Sequence, residues 1–99
     1  MAGQDQELIL LKTDFSKDAY QREETTERTV FAKRIPLYSG EFHNAAASGY
    51  ELQYILQVHT FEYENEKAAR YNGQEFDIYR TFQRSDDYTE LYLSTKRRR

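Results

Sequence analysis

Asn72-Gly73 constrains this chain more than any other pair of residues. Both central residues of a type I′ turn need positive φ, which Asn tolerates and Gly adopts freely. The flanking residues then pair in a fixed register. Arg70 falls opposite Glu75, and Ala69 opposite Phe76. Opposite charges, and a small residue against a large one, are favourable cross-strand neighbours. A two-residue hairpin at this point commits the chain to antiparallel sheet. The remaining segments follow the same logic of short strands separated by turn signals.

Residues 7–12 read as a first strand and residues 28–34 as a second, which Pro36 should stop. Residues 13–27 are polar, with only Phe15, Ala19 and Tyr20 apolar, and read as a long N-terminal loop. Residues 50–63 read as the longest strand. Leu52, Tyr54, Leu56 and Val58 alternate on one face, then Phe61 and Tyr63 take the opposite parity. That change of phase predicts a β-bulge or bend near His59-Thr60. Residues 75–83 form the strand leaving the hairpin, with Phe76, Ile78 and Phe82 on one face. After a turn at residues 84–87, residues 88–95 form the last strand, with Leu91 and Leu93 inward. The expected fold is all-β and mainly antiparallel, a small β-barrel or sandwich.

One short helix interrupts this pattern at residues 39–49. Ser39 can cap its N-terminus, and Glu41 suits the positive end of its dipole. Phe42, Ala45 and Ala46 fall on one face, and Gly49 sits where the left-handed C-terminal residue belongs. A helix of about nine residues does not persist alone in water, and alanines bury little area. The segment at residues 36–50 is therefore expected to be loosely held.

Composition sets the scale. A chain of 99 residues is one domain, and at this size folding buries only about 60–65% of the unfolded surface. With 31% charged residues and a mean hydropathy of −0.96, the core is thin. Tyr 9 and Phe 6 argue against disorder. Tyrosine in particular suits surfaces that are apolar on one side and wet on the other. There is no cysteine, hence no disulfide framework. Met1-Ala2-Gly3-Gln4 does not begin a signal peptide, and Leu8-Ile9-Leu10-Leu11 is the longest apolar run, far short of a membrane span. Four of the 14 basic residues lie in the tail Lys96-Arg97-Arg98-Arg99, which is expected to fray. The rest of the chain carries 10 basic against 17 acidic residues. An acidic body does not suit a general nucleic-acid binder.

No pattern in the sequence points to catalysis, a cofactor or a metal. His43 and His59 belong to no spaced ligand signature. Asp86-Asp87 is a turn signature first. Glu62, Glu64 and Glu66 alternate and read as a solvated face. The glycines are isolated and cradle no phosphate. Arg80 is the odd residue, because it shares a face with Ile78 and Phe82. An inward charge must be paired, either in a structural salt bridge or across an interface.

One resemblance goes further. Phe31-Ala32-Lys33-Arg34-Ile35 is followed by Tyr38-Ser39-Gly40-Glu41-Phe42 and Ala45-Ala46-Ala47-Ser48-Gly49. Downstream come Val58-His59-Thr60-Phe61-Glu62-Tyr63, then Glu66-Lys67, the run from Tyr71 to Phe82, and Glu90-Leu91-Tyr92-Leu93. In this order, over residues 28–95, the set resembles the head-closure, or head–tail joining, proteins of tailed phages. The resemblance implies a non-enzymatic ring protein, expected to be a dodecamer, at the virion neck and made in the bacterial cytoplasm. It implies a portal or adaptor ring above, a tail-completion or tail-tube protein below, and packaged DNA passing through. In the stopper members the segment after the second strand reaches into the channel. Here that implies a gating or ring-contact role for Tyr38, Ser39, Glu41, Phe42, Ala45, Ala46 and Gly49. The alternatives are a tail-completion or terminator protein and a small nucleic-acid-binding regulatory module.

Overall fold

The computed structural model of the chain describes residues 6–15 and 23–96. It contains β1 (Gln6–Phe15), β2 (Glu23–Ile35), α1 (Ser39–Ala47), β3 (Tyr50–His59), β4 (Ala68–Tyr71), β5 (Gln74–Gln83) and β6 (Tyr88–Lys96). Every strand pairing is antiparallel, and the sheet closes on itself in the order β1-β2-β3-β6-β5-β4. The chain therefore adopts the expected all-β antiparallel fold with one short helix. Alternation sends one set of side chains inside the ring. Leu8 and Leu10 of β1, Val30 of β2, Leu56 of β3, and Leu91 and Leu93 of β6 are all buried there. Each contributes about 1.5–3 kcal/mol on leaving water. Tyr54 closes part of the interior, edge-on to Tyr71 at 4.8 Å and to Phe76 at 5.5 Å.

The hairpin forms as its sequence dictates. Asn72 has φ 53° and Gly73 φ 77°, with Arg70 opposite Glu75 and Ala69 opposite Phe76. Both residues occupy the left-handed region that a type I′ turn demands.

The N-terminal region departs from expectation. Much of residues 13–27 is strand, not loop, because β1 continues to Phe15 and β2 starts at Glu23. Thr13 lies opposite Thr25, their hydroxyls 3.4 Å apart. Only Ile9, Leu10 and Leu11 of β1 pair with β4, and only Lys33, Arg34 and Ile35 of β2 pair with β3. The far part of the β1–β2 pair is thus a two-stranded arm. Thr13, Glu24, Thr25 and Thr26 are exposed, so no apolar alternation marks the arm as strand. Its threonines still favour extended backbone. The remainder of that expected loop, residues 16–22, lies outside the described residues, as do residues 97–99 of the basic tail.

Two bulges correct the face assignments. The β3–β6 register shifts between Leu52 and Tyr54, and the β5–β6 register between Ile78 and Arg80. An extra residue in one strand reverses the parity of everything beyond it. Leu52 therefore leaves the face of Tyr54, Leu56 and Val58 and joins Ile55 on the outer side. Arg80 and Phe82 likewise do not share the inner face of Ile78. Arg80 pairs with Tyr92, and Phe82, 44% exposed, pairs with the outward Glu90. The phase change expected near His59-Thr60 is not a bulge. It is a single 3₁₀ turn, Thr60–Glu62, that ends β3 after ten residues and leaves β2, with 13, as the longest strand. That turn carries Phe61 into solvent and returns Tyr63 to the core.

Candidate functional site

Helix α1 packs on the outer face of the ring. Its N-cap is Tyr38, extended at φ −132°, so Ser39 is the first helical residue and not the cap. At the other end Gly49 takes φ +84°, as its place after the helix requires. Ala45 is fully buried against Leu52, Ile55 and Tyr92, with Ile35, Tyr50 and Tyr79 around them. This small outer core covers the stretch of sheet between the two bulges.

Glu41 tethers the helix. It is 0% exposed, although it sits in the first turn of a surface helix. Its carboxylate accepts from Arg80 Nη2 at 2.6 Å and Nε at 2.9 Å, from the Tyr79 hydroxyl, and from the Tyr38 hydroxyl at 3.2 Å. The Arg80 guanidinium also lies over the Tyr92 ring, 4.3 Å from its centroid. Burial pushes the Glu41 carboxyl up, but the donors from Arg80, Tyr79 and Tyr38 outweigh it and hold the group below the ordinary carboxylate range. Burial and the same carboxylate raise the Tyr79 hydroxyl well above its usual value. The odd arginine thus has its partner within the chain.

Two further buried carboxylates follow the same rule. Glu90 accepts from the Tyr92 hydroxyl at 3.0 Å and from Arg84 at 3.1–3.3 Å. Glu66 is buried, which corrects the solvated face expected for Glu62, Glu64 and Glu66. It accepts from Arg28 at 2.8 Å and from the Glu64 amide at 2.7 Å. Burial alone would raise its pKa; the bond from Arg28 and those backbone amides lower it instead. Among the described residues every buried side-chain nitrogen or oxygen has a partner. These carboxylates are committed to ion pairs, and the arrangement fixes elements in place; none of them is a free acid or base.

The other end of the same outer face has no helix over it. Beyond Ile55 and Tyr92 the outward residues become Gln57 and Glu90, then His59 and Tyr88. The His59 ring lies 5.5 Å from Phe61 and 5.1 Å from Tyr88. His59 and Tyr88, with Phe31, Lys33, Gln57 and Glu62, line a groove of about 510 Å³. Phe61 is 82% exposed and Phe31 59%. Before the three residues that pair with β3, the β2 edge carries Glu24, Glu27 and Arg28, charges that discourage an added strand.

The structure therefore divides the sequence-derived site. Glu41 and Ala45 face the sheet and offer no surface to another molecule, whereas Tyr38 is half exposed and Ala46 partly buried. Ser39 and Phe42 lie in α1. Asn72 and Gly73 form the β4–β5 turn. His43 is exposed on α1. The aromatic flank escaped sequence reading because Phe31, His59, Phe61 and Tyr88 come from separate segments. Its one sequence signal was the parity change at Phe61. Among the described residues no helix is long and apolar enough to cross a membrane, and no cluster of three or more His, Cys, Asp or Glu side chains could hold a metal. Comparison with protein-family models finds no matching family, and comparison with curated proteins finds no match.

Proposed function

We propose that this chain is a structural protein of a tailed-phage neck, a head-closure subunit that joins the filled head to the tail and helps retain packaged DNA. The observation that carries this reading is the exposed aromatic flank on a domain whose buried charges, among the described residues, are all paired. A surface with Phe61 and Phe31 in water is built for contact with protein. The resemblance over residues 28–95 supplies the kind of assembly, a small β domain repeated in a ring, with a dodecamer expected. Portal or adaptor protein would lie above and a tail-completion or tail-tube protein below. Excess acidic charge on the body suits a bore through which DNA slides without sticking.

The test is deletion of the gene in a phage that carries it. Filled heads that lose DNA and do not join tails are expected, with rescue by the wild-type chain in trans. Normal infectious particles would sink this reading. Closed heads carrying tails of altered length would point to a tail terminator instead.

A further inference from the structure

We infer that successive copies of this chain meet head to tail, with Phe61 of one copy seated in the groove formed by Arg34, Ile35, Pro36, Leu37 and Tyr54 of the next, an inference that rests on the ring reading above. Phe61 stands at the tip of the 3₁₀ turn, the most exposed large apolar side chain among the described residues. Its ring lies 5.5 Å from that of His59, which in turn lies 5.1 Å from Tyr88, so the knob ends a short aromatic row. The groove has a volume of about 450 Å³, room for an aromatic ring, and its Leu37 rim is exposed.

Charge and position choose the occupant. Arg34 lies over the Tyr54 ring at 4.9 Å and makes no ion pair with a described residue. Glu62 follows the knob directly, and Glu64 lies close by, exposed and only 3.9 Å from Arg28. An acidic aromatic knob thus matches a cationic apolar groove, and the Phe61 ring presents a face on which Arg34 can stack. Lys33 lines the flank groove with Glu62, and Arg28 acts on Glu62 and Glu64, so Glu62, Glu64 and Glu66 together outnumber the two cations beside them. The knob follows the end of β3, whereas the groove lies against its middle, where Arg34 and Ile35 pair with Leu56 and Ile55. His59 and Tyr54 are five positions apart, about 17 Å at the usual strand rise. Two complementary patches at different places on one molecule make a heterologous contact, which propagates and closes into a ring when the rotation permits.

The contact is small. One aromatic side chain buries about 200 Å², against about 800 Å² per partner in a stable pair. Isolated copies therefore stay largely monomeric, and association needs high concentration or a templating ring.

The experiment uses purified full-length chain near millimolar concentration, followed by sedimentation and by backbone amide NMR. Wild-type chain should show concentration-dependent shifts both around Phe61 and around residues 34–37. Phe61→Arg keeps the groove and Leu37→Asp keeps the knob, so each alone should remain monomeric, with the melting temperature of wild type. Their equimolar mixture should give a 1:1 dimer that grows no further, because its outer knob and groove are both blocked. Three results overturn the contact: a mixture that stays monomeric, variants that associate as wild type does, or wild-type shifts confined to one of the two patches. If either variant loses its fold, Phe61→Ser and Leu37→Ser replace the pair, read in the same way. Failure here with the chain still present in purified necks removes the contact and keeps the ring reading. The capped dimer, with no neck defect on gene deletion, keeps the contact and removes the neck.

Discussion

The outer face of the β3–β6 pair is covered at one end and bare at the other. Under α1, Leu52, Ile55 and Tyr92 are sealed by Ala45, and Glu41 locks the helix to Arg80. A few residues along the same strands, His59 and Tyr88 stand in water beside Phe61. The apolar character of the two ends is similar; the difference is a nine-residue helix that cannot hold itself. It is held because a carboxylate with three side chains donating to it, two of them from β5, adds to what about two and a half turns of small-residue packing would supply. Covering an apolar face here took an ion pair.

The sharpest way to break this contrast is to place a charge in the covered end. Ala45→Asp should destabilise the chain by more than about 3 kcal/mol, since it buries a carboxylate without a partner. Ala47→Asp, on the exposed side of the same helix, should stay within about 0.5 kcal/mol. Urea denaturation measures both. Equal effects would mean that α1 does not pack as described.

Removing the tether comes next. Glu41→Ala should cost about 3 kcal/mol, toward the low end for a broken buried pair, because Arg80 is 38% exposed and can rehydrate. Hydrogen exchange should speed up through residues 39–47 and little in β3 and β6. Uniform acceleration would show that the helix and sheet open together.

Acid should act in the same sense but more weakly, on the Glu41 tether and on the Glu66 pair. The folded-state pKa values of Glu41 and Glu66 are lowered, so their stabilisation is complete above the ordinary carboxylate value, about 4.3. It is lost as pH falls through the lowered folded values. Melting temperature should therefore drop below about pH 4, and Glu41→Gln should flatten part of that drop. A profile unchanged by this substitution would mean that Glu41 does not titrate with the tether.

The smallest effect belongs to the bare end. Phe61→Ser and Phe31→Ser should change stability by less than about 0.5 kcal/mol, because folding buries little of either ring. A cost above about 1 kcal/mol would show that the flank packs within its own chain.

Much of this was legible from the residues alone. The Asn72-Gly73 turn and its register follow from which residues accept positive φ, a local property that no tertiary contact has to supply. The same holds for the inward Leu91 and Leu93, where unbroken alternation leaves one choice of face, and for Gly49 at the end of the helix. What only the tertiary structure decided begins where the alternation slips. A bulge adds one residue without a local signal, so Leu52, Arg80 and Phe82 change sides and every inference from their parity changes with them. The sequence required that Arg80 have a partner if it was to approach the core. That the partner is Glu41, 39 positions away on the helix, depends on where α1 comes to rest. Ion pairs between distant segments and faces assembled from separate turns are properties of the packed chain, because each needs two pieces of backbone in place before either side chain has anything to meet.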